Sequence, residues 1–381
     1  MSDSEKTDRP NDPWLLTPGP LTTSAGVKRA MLRDWGSRDP AFIAMTARVC
    51  ERLVALAGGQ GSHVCVPLQG SGTFVVEAAL GTLIPRDGKA LVLVNGAYGN
   101  RVAKILTVLG RTHEVYETAE DTPPDPEEVA RRLGADPAIG HVVLVHCETT
   151  SGILNPVKAI ADVVAAAGRA LILDAMSAFG ALPLDLSQTP IDAVLASSNK
   201  CLEGVPGIGF ALIRTDALDA AAGNAPSLSL DLHDQWRGLE ANGQWRFTPP
   251  THVLAALDEA LNEHAGEGGV AGRGARYARN CEILIEGLRG LGLDLYLPAE
   301  LQAPIIVTVH APADPAFDFK AFYDAVAARG YLIYPGKLTR AETFRVGCIG
   351  RLGEAEMKGA VAAIGTALDN LGVTARGANR A

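Results

Sequence analysis

Five short apolar runs punctuate the chain: Leu91 to Val94, Val142 to Val145, Leu171 to Leu173, Ala193 to Ala196 and Ile208 to Ile213. They are continuous and rich in branched residues, as strands buried on both faces are. Segments of helical length lie between several of them, such as Ala159 to Ala167, and an apolar helix, Phe74 to Leu83, precedes the first. Apolar strands separated by helices predict a mainly parallel sheet covered on both sides, an α/β domain.

The pattern changes after about residue 250. Val253 to His264 and Tyr277 to Leu288 predict helices, with Gly266 to Gly274 reading as a glycine-rich loop between them. A strand (Ile305 to His310), a helix (Lys320 to Ala328), two strands (Tyr331 to Tyr334, Thr343 to Val346) and a last helix (Glu354 to Leu371) follow. That mixture predicts a small C-terminal α+β domain. The expected division is a disordered tail over 1–14, a large domain over 15–255 and a small domain over 256–381. Residues 15–24 form a proline-punctuated extended arm, and Ala375 to Ala381 a frayed end.

Composition narrows the function. The chain has 381 residues, 47% hydrophobic and only 20% charged, enough for a large core. A net charge of −9 argues against nucleic acid or an anionic membrane as partner, although a local basic pocket stays open. The six cysteines (Cys50, Cys65, Cys147, Cys201, Cys281, Cys348) are scattered without a CxxC pair. They read as reduced thiols of a cytoplasmic protein rather than a disulfide frame or zinc site. The polar N-terminus is not a secretory signal, and no window approaches the roughly 20 apolar residues that span a bilayer. The eight histidines show no HxxxH or HExxH spacing, so no metal is expected.

Candidate chemistry collects where the strands end. Asp174 closes one apolar run, and Lys200 follows the next through Ser197-Ser198-Asn199. A lysine amine that can capture an aldehyde, with an aspartate to keep a pyridine nitrogen protonated, is what pyridoxal phosphate chemistry requires. Alone, Asp174 is equally a strand-end cap, and Lys200 a solvated lysine. Gln69-Gly70-Ser71-Gly72-Thr73 opens a helix, where backbone amides suit an anion, though an ordinary cap reads the same way. GxGxxG and GxxxxGK[ST] are both missing, against dinucleotides and nucleoside triphosphates. Tyr98, in Asn95-Gly96-Ala97-Tyr98-Gly99, is either a stacking platform or a surface turn residue. His146 to Gly152 brings hydroxyls to the same edge, or starts a helix before Asn155-Pro156. Cys201 beside Lys200 reads as a small buried residue.

Taken together, Ser71-Gly72-Thr73, Asn95 to Gly99, Glu148-Thr149-Thr150-Ser151-Gly152, Asp174-Ala175-Met176-Ser177 and Ser198-Asn199-Lys200 resemble the class V aminotransferases, from about Leu15 to Leu371. Longer strings narrow the resemblance. They are Leu16 to Ser24, Ser227 to Leu232, Trp245 to His252, Tyr334-Pro335-Gly336-Lys337 and Phe344 to Gly350. These are similar to the branch that moves the amino group of 2-aminoethylphosphonate to pyruvate. The resemblance implies fold type I: a seven-stranded, mainly parallel sheet like that of aspartate aminotransferase. It implies pyridoxal 5'-phosphate as cofactor and a homodimer with active sites at the subunit interface.

By the same resemblance, Lys200 binds the cofactor and shuttles protons, Asp174 pairs with the ring nitrogen and Tyr98 stacks on the ring. Ser71, Gly72, Thr73 and Asn199 hold the phosphate, joined by Thr248 from the other subunit. Thr150 sits by the ring hydroxyl, and Arg345 and Ser24 bind substrate. Arg38, in Trp35 to Asp39, departs from some members and reads as a surface residue or an anion contact. The competing readings are an alanine– or serine–glyoxylate aminotransferase, a desulfurase using Cys348, and a non-catalytic regulator, for which no basic domain is present.

Overall fold

The computed structural model describes residues 12–338 and 341–378. At its centre is a seven-stranded sheet. In sheet order its strands are His63–Gly70, Gly207–Arg214, Ala193–Ser197, Ala170–Asp174, Ile139–Val145, Lys89–Val94 and Thr112–Glu117. Gly207–Arg214 runs antiparallel to both neighbours; all other pairings are parallel. Side chains alternate between the two faces along each strand. Leu91, Leu93, Leu171 and Leu173 join a core under helices Pro40–Leu56, Val157–Ala166 and Thr251–Gly266. Ala90, Val92 and Ile172 join another under Gly72–Leu83 and Ala97–Val108. Both sides are apolar because both are covered.

A second body has its own core. Strands Ile306–His310, Thr343–Gly347 and Tyr334–Pro335 form a three-stranded sheet. It packs with helices Gly269–Gly290, Phe319–Ala327 and Glu354–Asn370 around Leu284, Phe322, Phe344 and Ile364. The division expected at 255/256 falls inside the helix Thr251–Gly266, whose Leu254, Leu257 and Leu261 belong to the large core.

Three expectations change. The stretch read as a loop over Gly266 to Gly274 is helical from Gly269. Its glycines serve packing: a Cβ at Gly274 would press into the Ala181 carbonyl. The tail expected over 1–14 is described only from Asp12, and that part is ordered. Asp12 pairs with Lys28 at 2.7 Å, and Trp14–Leu15 runs parallel to Tyr331–Leu332. Likewise, the end expected to fray from Ala375 is held: the Ala375 amide donates to Asp314 and the Ala378 amide to Asp294, each at 2.9 Å. Residues 379–381 lie outside the described residues. No helix among the described residues is long and apolar enough to cross a membrane.

Candidate active site

A cavity of about 470 Å³ opens at the edge where the parallel strands end. Six consecutive turns wall it: Gly70–Thr73, Tyr98, Cys147, Asp174–Ser177, Ser197–Lys200 and Pro206–Gly207. Each leaves or enters a central strand at one edge, so residues remote in sequence converge there. The sheet therefore brings Ser71, Gly72, Thr73, Tyr98, Asp174, Asn199 and Lys200 together in one cavity.

Lys200 sits in a turn after Ala193–Ser197 and is half-buried. Burial lowers its pKa, against the pull of Tyr98 and Asp174. Its Nζ donates to the Pro18 carbonyl. Pro18 lies in the arm, which continues from Trp14–Leu15 on the small body: the Leu16 amide donates to Leu332 O at 2.8 Å, and the Gly347 amide to Leu16 O at 2.8 Å. Gly19 has φ +120, and a Cβ there would lie 2.6 Å from Lys200 Cδ. Gly19→Ala is therefore expected to cost about 1–3 kcal/mol through backbone strain and to displace the lysine stem. Thermal unfolding together with turnover checks it: both should fall, and an unchanged melting temperature would show that the arm does not seat this way.

Asp174 is buried at the cavity floor, and the Met176 amide donates to its Oδ1 at 3.0 Å. Burial pushes its carboxyl up to about 6; Glu148 adds to the rise, while Lys200 and Arg101 oppose it. Such a carboxyl calls for a cation beside it.

Tyr98 stands in the first turn of Ala97–Val108 with Lys337 Nζ 4.1 Å and Arg101 Cζ 4.8 Å from its ring centre. Burial acts to raise its phenol's pKa, but the Lys200 and Lys337 cations outweigh that and lower it. Glu148, which the residue patterns did not single out, anchors this turn. It is fully buried, and its Oε2 accepts from the Tyr98 and Gly99 amides at 3.1 and 3.2 Å. A carboxylate at a helix N-terminus is well placed against the dipole. Burial nonetheless raises the Glu148 pKa.

Ser71 precedes Gly72–Leu83 without capping it through its side chain, and Ser71, Gly72 and Thr73 all line the cavity. Ser71 thus holds the N-cap position without a side-chain bond to the helix. Thr73 Oγ1 accepts from Arg101 at 3.1 Å.

Four expected residues lie elsewhere. Thr150 is fully buried; its hydroxyl donates to Glu148 at 2.6 Å and accepts from the Ala97 amide at 2.9 Å, so it braces the Tyr98 turn instead of lining the cavity. Ser24 caps helix Ala25–Ala30, accepting from the Val27 amide and donating to Glu263, which leaves it a structural role. Arg345 is buried behind Tyr98, donating to Pro335 O at 3.0 Å and Thr149 O at 2.8 Å. Thr248 is exposed in a separate pocket of about 360 Å³, together with Arg38, Trp245 and Phe247.

The two cysteines considered for chemistry are buried. Cys348 is fully buried and its thiol is driven far up by that burial; burial likewise pushes Cys201 up to about 12. This removes the nucleophile that a desulfurase reading needs.

The cavity fits pyridoxal phosphate. It pairs an amine with a buried carboxylate across its floor, adds an aromatic face, and offers a helix N-terminus flanked by hydroxyls for a phosphate. Ser197 Oγ, buried in the wall, has no hydrogen-bond partner and awaits one.

Residues 66–314 match the family described as "Aminotransferase class-V". A "2-aminoethylphosphonate--pyruvate transaminase" of Pseudomonas entomophila (strain L48) is 59% identical over 95% of this chain and 99% of its own. Another of that name from Pseudomonas aeruginosa (strain UCBPP-PA14) is 60% identical over 95% and 97%. Among solved structures, the alanine–glyoxylate aminotransferase from Nostoc sp. superposes with a TM-score of 0.88 at 24% identity, covering 94% of this chain and 96% of its own. The pyridoxamine–pyruvate aminotransferase from Mesorhizobium loti gives 0.86 at 27%, covering 95% and 93%.

Proposed function

The chain belongs to the class V aminotransferases, and from that premise we propose that it transfers the amino group of 2-aminoethylphosphonate to pyruvate, giving phosphonoacetaldehyde and L-alanine. The observation that carries the chemistry is the meeting of Lys200 and Asp174 in one cavity beside Tyr98 and the Ser71–Thr73 cradle. The long likeness to transaminases of that name supports the substrates over the alanine– or serine–glyoxylate alternative.

Pyridoxal 5'-phosphate, when bound, supplies the electron sink that accepts the pair left as the donor carbon loses its proton. Lys200 would hold the cofactor's aldehyde carbon in the resting site, and once the donor's amine takes that place its freed amine would move the proton. The burial that lowers its pKa keeps more of it neutral and able to accept. Asp174 holds the proton on the ring nitrogen; its carboxylate, poorly solvated on its own, gains a cation there. Tyr98 supports the ring. The Ser71–Thr73 hydroxyls and amides, with the Asn199 side chain, take the phosphate. Thr248 serves the neighbouring subunit of a homodimer. Its exposure, and its distance from this chain's cavity, support a role in a partner's site. The free thiols suit a cytoplasmic setting.

Arg345 is the candidate for the acidic end of either substrate, carboxylate or phosphonate: its planar fork suits both, once the guanidinium turns from the Pro335 and Thr149 carbonyls that hold it outside the cavity. Arg345→Lys is expected to lower kcat/KM for both substrates by about 10- to 100-fold with cofactor content unchanged. Steady-state kinetics with cofactor quantitation test it; wild-type kcat/KM on both would remove Arg345 from the site.

The assay of the whole reading is a half-reaction. The cofactor-loaded protein, given 2-aminoethylphosphonate alone, should change its visible spectrum to that of the amine form, and pyruvate should reverse it. No change with this donor but conversion by L-alanine or serine would move the function to the glyoxylate enzymes.

A further inference from the structure

Two substrates with different anions must share one pocket, on the reading above. A carboxylate carries one charge on two oxygens. A phosphonate presents three oxygens and, like a phosphate monoester, carries about −1.5 to −2 near neutral pH. Arg345 alone matches the first better than the second. Two of its donors are already committed, Nε to the Pro335 carbonyl and Nη1 to the Thr149 carbonyl.

A second cation stands on the same hairpin. Tyr334 pairs directly with Arg345, and the Gly336 amide donates to Thr343 O at 2.9 Å, so the backbone up to Gly336 is tied to the Arg345 strand. Lys337 is the next residue. Its Nζ rests 4.1 Å from the centre of the Tyr98 ring, which lines the cavity. It is half-buried and has no hydrogen bond or ion pair among the described residues. Other charged side chains around the site are engaged: Arg101 donates to Thr73, and Glu148 is saturated by Thr150 and backbone amides. A lysine held only over an aromatic face keeps all three ammonium hydrogens available, on a stem flexible enough to swing.

We propose that Lys337 is the specificity-determining cation of the phosphonate donor: it leaves the Tyr98 face to pair with the phosphonate, while Arg345 serves both acids. This rests on the transamination reading, and it adds what that reading lacks, a residue whose effect differs between the two half-reactions.

The test uses the cofactor-loaded protein as wild type, Lys337→Met and Lys337→Arg. Met keeps the apolar stem over the ring and removes the charge. Single-turnover spectra give kcat/KM for 2-aminoethylphosphonate and for L-alanine. Calorimetry gives the affinity for ethylphosphonate, which cannot react. In Lys337→Met the ratio of the two kcat/KM values should fall against the phosphonate by roughly 10-fold or more. Ethylphosphonate binding should weaken to a similar extent, and Lys337→Arg should recover most of both. Equal losses on both donors, or unchanged ethylphosphonate affinity, would overturn the assignment. A wild-type enzyme that converts L-alanine but not 2-aminoethylphosphonate would instead overturn the substrate reading, and this proposal with it.

Discussion

Lys200→Ala is expected to reduce turnover by on the order of 10⁴-fold or more, the largest effect in the molecule. No second amine can substitute. Lys337 belongs to the small body, its backbone carried by the Tyr334–Arg345 pairing, and its amine lies over the outer Tyr98 ring rather than in the strand-end turn that carries Lys200. Arg101, also on the cavity wall, carries a guanidinium in place of the primary amine that captures an aldehyde. The loss should separate from folding: far-UV dichroism and the melting curve of the cofactor-free protein should stay near wild type, since among the described residues the Lys200 side chain makes a single hydrogen bond, to Pro18. The visible absorbance of the loaded protein should change as well, because the amine that captures the aldehyde is gone. Activity within tenfold of wild type would refute the assignment of Lys200.

Asp174→Asn should come second, at about 10³-fold in kcat, because an amide cannot hold a proton on the ring nitrogen. Its effect on stability has the opposite sign. The buried Asp174 carboxyl titrates near 6 in the folded chain, against an ordinary 3.8. Between those values the folded protein binds more protons than the unfolded chain, so stability falls as pH rises through that window. The full penalty, up to about 3 kcal/mol, is present above pH 6 in the cofactor-free protein. Asparagine removes the charge and keeps an oxygen for the Met176 amide. The cofactor-free variant should therefore melt above cofactor-free wild type at pH 8, with the gap closing towards pH 4. A variant that melts lower at pH 8 would show that the carboxylate is not penalised by its surroundings.

Legibility in the sequence followed burial. The central strands Lys89–Val94, Ile139–Val145, Ala170–Asp174, Ala193–Ser197 and Gly207–Arg214 could be read because both faces are covered, which leaves uninterrupted apolar runs. The edge strands escaped. Thr112–Glu117 is mostly polar and half-exposed, so it shows neither a run nor a clean alternation. The start of Gly269–Gly290 was hidden because intrinsic propensity argued against a helix there, and the packing of Gly274 on Ala181 overrode it. Of the site, residues at strand ends were legible, since a polar side chain closing an apolar run is conspicuous: Asp174 and Lys200 both stand so. Glu148 was not, because its role depends on meeting the Tyr98 turn, which only the sheet order brings beside it. The bonds that Thr150 and Ser24 make to Glu148 and Glu263 were hidden for the matching reason. A hydroxyl's type gives no sign of whether a neighbouring carboxylate has already claimed it.

The arm that covers Lys200 has a consequence in time. Its strand, Trp14–Leu15, leaves the ribosome well before its pairing partner, Tyr331–Leu332, the whole central sheet lying between them in the chain. The Gly347 amide that grips Leu16 follows later still. A nascent chain can therefore complete its central sheet while the lysine turn remains uncovered. Only when the segment through Gly347 has emerged can the arm dock and seat Pro18 and Gly19 against Lys200. The enzyme thus forms its reactive amine early and closes over it late, so an aldehyde cofactor has an open approach to the lysine during synthesis.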